Sequence, residues 1–370
     1  MMGIVDGRIL VIGGGIAGLA VAQALRQRDL VATVVDRLAG PPDAGLALNL
    51  PGNAVRALGA LGLADDLARL GAPVRRREYR NARGRVLFAV DEDEFWGEDS
   101  RSRCVRRRDL LDLLGRGLPA DTVRWDTPVA SIRQTPAGVE VEGESYAFAV
   151  GADGVRSAVR PAVVGEAELR TSLLSTASWR FMAPNPGVDC WTVWSSAAGA
   201  FLLIPVDAKE VYGYASALRG GTVSADPEWL RTTFARFPDP VPQVVDAVLT
   251  EQSSLYHSPV EEVRVDRWTN GRLVLIGDAA HATAPVWAQG AALAVEDALV
   301  LAELLATHDD WSRVGPEYER RRRPRVDHVQ AMTDRLSKTA SMPAWIRDTI
   351  LPFVGPRTYR ETYGPLRSPP

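Results

Sequence analysis

Three short clusters of glycine and aspartate hold most of the chemistry this sequence offers. The first is Gly13-Gly14-Gly15-Ile16-Ala17-Gly18, with Asp36 following 18 residues beyond Gly18. The second is Gly151-Ala152-Asp153-Gly154; the third is Gly277-Asp278-Ala279-Ala280-His281, with Ala288-Gln289-Gly290-Ala291-Ala292 behind it. In the first cluster each glycine has its own task. Gly13 permits a tight turn, Gly15 lets the backbone approach a pyrophosphate, and Gly18 lets a helix pack closely on a strand. The free N–H groups at the start of that helix, around Ile16 and Ala17, then face phosphates. Asp36 falls where a carboxylate accepts hydrogen bonds from an adenosine ribose, and Arg37 either contacts the adenosine end or stands in solvent. At this point NAD and FAD are almost equally good dinucleotides.

Such residues need strands that end beside one another. The apolar run at 9–12 reads as a buried parallel strand that breaks into the glycine turn and then a helix carrying Ile16, Leu19, Ala20 and Leu25. A second strand, 31–35, delivers Asp36. The runs at 147–150 and 272–276 are strands that each place an aspartate at the carboxyl edge of a sheet, where it meets a polar ligand. Helical periodicity covers 53–70, 107–118, 289–306 and 311–342. A hairpin spans 75–90, turning at Asn81-Ala82-Arg83-Gly84, and an acidic loop follows at 91–99. Residues 173–255 are largely β and concentrate the aromatics. The proline-punctuated end reads as irregular coil and short helix.

At 370 residues the chain exceeds one ordinary core, which predicts two domains. A net charge of −3 gives no global attraction to nucleic acid or anionic membrane. The only cysteines, Cys104 and Cys190, have no zinc-ligand spacing, so neither a metal site nor a disulfide is expected, and a reducing cytoplasm fits. Residues 1–7 lack the features of a secretory signal. The apolar run at 291–306 is interrupted by Glu296, Asp297 and Glu303 and is too short to span a bilayer.

Taken in order and at these distances, the three clusters resemble the group A, single-component FAD-dependent aromatic hydroxylases, the family of para-hydroxybenzoate hydroxylase. The resemblance covers roughly residues 8 to 335. It implies an α/β fold: a glutathione-reductase-type Rossmann FAD-binding domain (1–72, 100–170 and 260–340) interleaved with a β-sheet substrate domain (73–99 and 171–259), plus C-terminal helices and a tail at 341–370. It implies FAD as cofactor, NADPH or NADH as transient reductant, O2 as co-substrate, and hydroxylation of an aromatic or polycyclic small molecule through a C4a-hydroperoxyflavin. By the same resemblance Asp36 binds the adenosine ribose, Arg107 (or its neighbour Arg106) the middle of FAD, Asp153 lies near the pyrophosphate, and Gly277 and Asp278 meet the ribitol. Gly290, Ala291 and Ala292 aim their N–H groups at the flavin, Pro285 lies over the edge where oxygen reacts, and Pro285, Gln289 and Gly290 form the catalytic loop.

Where the family has Gly-Gln-Gly, this chain has Ala288-Gln289-Gly290. Alanine restricts a backbone that glycine would leave free. His281 reads as a residue that holds its loop rather than as a base. Candidate substrate walls are Trp179, Phe181, Trp191, Phe201, Tyr214 and Trp287, with Arg180, Trp194 and Tyr212 beside them, because aromatic faces stack on planar ligands. Two rival functions stay open: an FAD oxidase or dehydrogenase on the same scaffold, and a flavin-binding protein without turnover. A flavin halogenase fits poorly, since neither Lys209 nor Lys338 stands in a suitable context.

Overall fold

The computed structural model describes residues 7–41, 46–172, 174–218, 220–251, 254–339 and 343–370. The signal-peptide reading at 1–7 therefore falls outside the described residues except at Gly7, as do Leu173 and Met342 at the edges of two expected segments and the side chain of Lys338.

Strand Ile9–Ile12 is buried along its whole length and pairs in parallel with Ala32–Val35 on one side and Phe148–Gly151 on the other. Phe148–Gly151 pairs in turn with the parallel strand Leu273–Leu275. The strands carrying the three clusters thus lie side by side in a six-stranded sheet, with all three turns at its carboxyl edge. Helices Ile16–Arg26 and Gly290–Thr307 pack against each other, and Gly290–Thr307 also packs against Gly52–Ala60 and Val314–Thr339. Glycine is obligatory at two positions, one in the turn and one in the first turn of the helix after it. Gly13 has φ +116°, and a Cβ there would overlap the Ala152 carbonyl; a Cβ on Gly18 would collide with the carbonyl oxygen of Gly13.

The second unit is a seven-stranded sheet ordered Tyr256–Pro259, Ala177–Pro184, Glu210–Ala217, Gly199–Pro205, Trp191–Ser195, Arg76–Asn81 and Val86–Asp91. The early hairpin joins it through parallel pairing of Arg76–Asn81 with Trp191–Ser195. Its two faces differ. One packs Trp179, Phe181, Trp194, Phe201, Leu203 and Ala215 against the apolar sides of helices Glu228–Phe234 and Val241–Thr250. The other packs Met182, Trp191 and Ile204 against Ala47 and Cys104. Those two residues belong to a small sheet, Ala47–Leu50, Arg103–Arg106 and Ala72–Pro73, that roofs this face.

Three expected elements differ in detail. The helix at 53–70 is two helices, Gly52–Ala60 and Ala64–Ala68, parted at Gly62 with φ +74°. The acidic loop contains a short helix, Glu92–Trp96, capped by Asp91 accepting from the Glu94 N–H at 2.8 Å. Its Glu92 is fully buried and ion-paired with Arg77. Most of the expected tail is a 20-residue helix, Ala344–Tyr363, despite Pro352 and Pro356 inside it. Each interior proline costs about 3 kcal/mol. Burial of Tyr359 and Tyr363 against Phe95 and Trp96 offsets that, which is a tertiary effect the local sequence does not carry.

Candidate active site

The first turn is shaped for an anion. Gly15 precedes helix Ile16–Arg26 with no side-chain cap and no acidic residue in the first turn, so the first N–H groups have no partner within the helix. A Cβ on Gly15 would meet no protein atom within 4 Å, whereas one on Gly14 would press on Trp125. Gly15, Ile16 and Ala17 are partly accessible, and Gly18 is buried. Asp36 accepts from the Gly14 N–H at 2.6 Å through one oxygen and from the Leu38 N–H at 2.8 Å through the other. A carboxylate has about four acceptor sites, so Asp36 keeps capacity for two sugar hydroxyls. Arg37 is exposed beside it.

In the second cluster Asp153 closes its own turn. One carboxylate oxygen accepts from the Ala158 and Val159 N–H groups at 2.6 and 3.2 Å; the other is buried with no hydrogen-bond partner. Arg160 then ties this turn to the third cluster. Its guanidinium donates to the carbonyls of Val155 at 2.6 Å and Ala279 at 2.8 Å. Arg160, seven residues after Asp153, has no role in the sequence analysis above.

Asp278 is exposed to solvent yet hemmed in by protein, as a residue in the wall of a recess is. Burial raises its carboxyl above the ordinary value, while His281, Arg107, Arg180 and Arg160 pull it down. Those three arginines converge on it from three separate elements. Arg106, the alternative to Arg107, is committed elsewhere: it bridges to Asp207 at 3.0 Å and to Glu210 on the seven-stranded sheet. Gly290 lies beside Asp278, where a Cβ would stand 3.5 Å from the carboxylate. Helix Gly290–Thr307 opens without a side-chain cap or first-turn acid, leaving the Gly290, Ala291 and Ala292 N–H groups as donors. Pro285 is exposed at the start of the preceding turn.

The expectation that Gln289 is catalytic is corrected. Its side chain is buried, and its amide exchanges hydrogen bonds with Asn53 at 2.9 and 3.3 Å. Asn53 also donates to Glu296 at 3.0 Å, so Gln289 anchors the helix from beneath. His281 is likewise buried, with Nε2 2.7 Å from Asp297. Asp297 also accepts from the Gly277 N–H at 2.9 Å and from Arg322 at 2.8 Å, contacts that hold its carboxyl well below the usual range despite burial.

Ala288 takes the left-handed conformation its glycine counterpart would take, with φ +54° and ψ +34°. The turn is braced from behind. The Tyr363 hydroxyl donates to the Trp287 carbonyl at 2.8 Å, and its ring meets the Trp287 indole edge-on. Nothing in the sequence between residues 287 and 363 signals this contact.

The proposed substrate walls divide by strand parity. Trp179, Phe181 and Phe201 are corrected to core residues: they lie on the helix-covered face, and Phe181 and Phe201 have no exposed surface. Arg180, between Trp179 and Phe181, points the other way, toward Asp278, with Tyr214 directly opposite it on the next strand. Tyr214 is half-buried on this cleft face. Trp191 stacks under Arg77 beside Tyr79 on the same face. Trp287 is largely buried against Tyr363, its indole N–H without a partner.

The residues fit FAD. An uncapped helix start with open space before it, a carboxylate with spare acceptors, an orphaned Asp153 oxygen and an accessible Asp278 lie along one sheet edge. Comparison with known proteins agrees. A family model described as FAD binding domain matches residues 6–333. The chain is 31% identical over 366 residues to 3-amino-4-hydroxybenzoate 2-monooxygenase of Streptomyces cremeus, covering 91% of this chain and 89% of the relative. It is 29% identical over 368 residues to 2-heptyl-3-hydroxy-4(1H)-quinolone synthase of Pseudomonas aeruginosa, covering 94% of each. The solved structure of Klebsiella pneumoniae HpxO complexed with FAD and uric acid superposes with a TM-score of 0.79 at 25% identity, covering 99% of this chain and 94% of that one. Among the described residues no helix is long and apolar enough to cross a membrane. With its three glycine–aspartate turns on one sheet edge and a roofed β-sheet beside them, the chain belongs to the FAD-binding-domain family and is an FAD-dependent monooxygenase.

Proposed function

We propose that this enzyme hydroxylates a planar aromatic or polycyclic molecule whose ring carries an acidic hydroxyl, enolate or carboxylate. The observation that carries this reading is Arg180. Its Nε is buried without a hydrogen-bond partner on the cleft face of the seven-stranded sheet, across from Tyr214 on the next strand, and its charge acts on Asp278, Tyr212 and Tyr214. A cation held there favours the ionised form of a bound phenol, which is the electron-rich form that attacks an electrophilic oxygen. The relatives' names fit such a class: an aminohydroxybenzoate, a hydroxyquinolone and urate.

FAD, when bound, accepts hydride from NADPH or NADH and activates O2 for transfer of one oxygen atom. The chain's own residues do the rest. Gly15, Ile16 and Ala17 offer N–H groups to the pyrophosphate, Asp36 accepts from the ribose, and Asp278 accepts from the ribitol. The N–H groups of Gly290, Ala291 and Ala292 favour the negative charge that reduction creates. Tyr212, Tyr214 and Trp191 supply flat apolar surface, and the small sheet Ala47–Leu50 with Arg103–Arg106 keeps water from that face.

Both cysteines are free and the reaction draws on NAD(P)H, which favours a cytoplasmic location. The test is a screen of phenols, hydroxyquinolines and purines for stimulated NAD(P)H oxidation, with product analysis under labelled O2. Label in the product is expected for one ring class. Substrate oxidation without label would establish an oxidase or dehydrogenase instead, and flavin that NAD(P)H never reduces would establish a non-catalytic binder.

A further inference from the structure

Asn49 is the one side-chain amide whose donor and acceptor atoms are both buried with no hydrogen-bond partner among the described residues. It is 6% exposed and lies on strand Ala47–Leu50, opposite Cys104. Parity sets its direction. Leu48 and Leu50 pack into the core of the FAD-binding unit, whereas Ala47 and Cys104 pack with Met182, Trp191 and Ile204 of the seven-stranded sheet. Asn49 shares the Ala47 face and therefore looks into the space between that sheet and its roof. The same space is bounded by Tyr212, which feels both Cys104 and Arg180, and Arg180 in turn acts on Asp278.

A buried amide left unpaired is costly, and apolar side chains of its size are freely available to a strand. No fold contact here accounts for an asparagine. The Arg180 Nε, on the facing sheet, is orphaned as well. The two unpaired polar groups lie on the facing surfaces of roof and sheet, one charged and one a neutral donor–acceptor pair.

From this we infer that Asn49 is a specificity-determining residue that reads an adjacent donor and acceptor on the substrate ring, such as the N–H and C=O of a cyclic amide. The inference rests on the aromatic hydroxylase reading above and narrows its substrate to heteroaromatic lactams and their tautomers. An amide offers one donor edge and one acceptor edge, so it pairs in two bonds with a lactam. It pairs in one with the lactone of the same shape, whose ring oxygen then faces the Asn49 carbonyl. A site built to hydrogen-bond a ligand rejects the analogue lacking the group far more strongly than an apolar pocket does.

The experiment uses the FAD-loaded protein and an isosteric pair of probes, 2-quinolone and coumarin, titrated by the change in flavin absorbance. Wild type is expected to bind 2-quinolone at least about tenfold more tightly than coumarin. Asn49→Leu, with the same branched skeleton, is expected to bring the two affinities within about twofold of each other by weakening 2-quinolone. The same variant is expected to bind FAD unchanged and to raise the Tm of the FAD-free protein by roughly 2–4 °C, because it removes an unpaired buried amide. Equal affinities in wild type would overturn the inference, as would preserved discrimination in the variant. A lower Tm would show that Asn49 serves the fold, and weakened FAD binding would assign it to the cofactor; either result overturns it too. Should Asn49→Leu not fold, the wild-type pair and Asn49→Ala decide alone. Wild type that binds no FAD at all would instead sink the hydroxylase reading on which this one rests.

Discussion

The two faces of the seven-stranded sheet are made from the same strands and often from neighbouring residues, yet they do opposite work. On the helix-covered face Trp179, Phe181, Trp194 and Phe201 interlock with Phe234 and Phe237, and the Trp179 N–H reaches the Ser224 carbonyl at 3.0 Å. On the cleft face Tyr212 packs with Trp191 and the roof, Arg180 and Tyr214 lie opposite each other on neighbouring strands, and the Arg180 Nε is left unpaired. The first face resembles any protein interior, close-packed with its polar groups answered. The second tolerates unanswered groups because it is built to be completed by something else. On this sheet burial alone therefore does not tell the two faces apart; the unpaired polar atoms of the cleft face do.

The comparison breaks most visibly at Phe201. Phe201→Ala is expected to cost about 3–5 kcal/mol in urea unfolding of the FAD-free protein, the usual penalty for emptying an aromatic core position. Tyr214→Phe, on the other face, is expected to cost less than about 1 kcal/mol while altering substrate affinity. Equal penalties would mean the faces do not differ as described.

Next in size is Asp278. Asp278→Asn is expected to weaken FAD about tenfold or more, read by equilibrium dialysis, because a charged acceptor is lost. The pH dependence of Tm sharpens the contrast with Asp297. Burial raises the Asp278 carboxyl, so its ionisation subtracts stability as pH rises from about 3.8 through the raised value, and acidification restores it. Asp297 is depressed, so it adds stability above about 3.8 that is lost as pH falls through its lower folded value. In the FAD-free protein, Asp278→Asn should remove only the first trend.

Smaller effects are expected at the turn before the central helix. Tyr363→Phe removes the bond to the Trp287 carbonyl and should cost about 1 kcal/mol of stability. Ala288→Gly relieves a left-handed alanine, a strain of about 1–2 kcal/mol, but frees the unfolded chain by about 0.4–1 kcal/mol. The expected net gain is about 0.5 kcal/mol by chemical denaturation, and a loss would show that the alanine methyl contributes packing of its own.

Much of the sheet edge that carries the three turns was legible because its requirements are local. Gly13 and Gly18 answer clashes with residues a few positions away or on the adjacent strand, and a carboxylate at a strand end follows from where the strand stops. The aromatic walls were not legible in the same way. Strands 177–184 and 199–205 carry aromatics on one face and mixed residues on the other, and the sequence does not say which face a helix will cover. Gln289 was misread because its motif position suggests the flavin, while its side chain turns inward to Asn53, 236 residues away.

Taken alone, the sequence determined a dinucleotide-binding first turn and the order of the three turns, since both depend on short-range sterics and on strand–turn–helix periodicity; FAD rather than NAD followed from the family resemblance. Only the tertiary structure decided which aromatics a helix covers, that Tyr363 braces the turn holding the left-handed Ala288, and that Asn49 and Arg180 lie on facing surfaces. Those outcomes depend on pairings between segments far apart in the chain, and neither propensity nor spacing encodes which distant group will arrive.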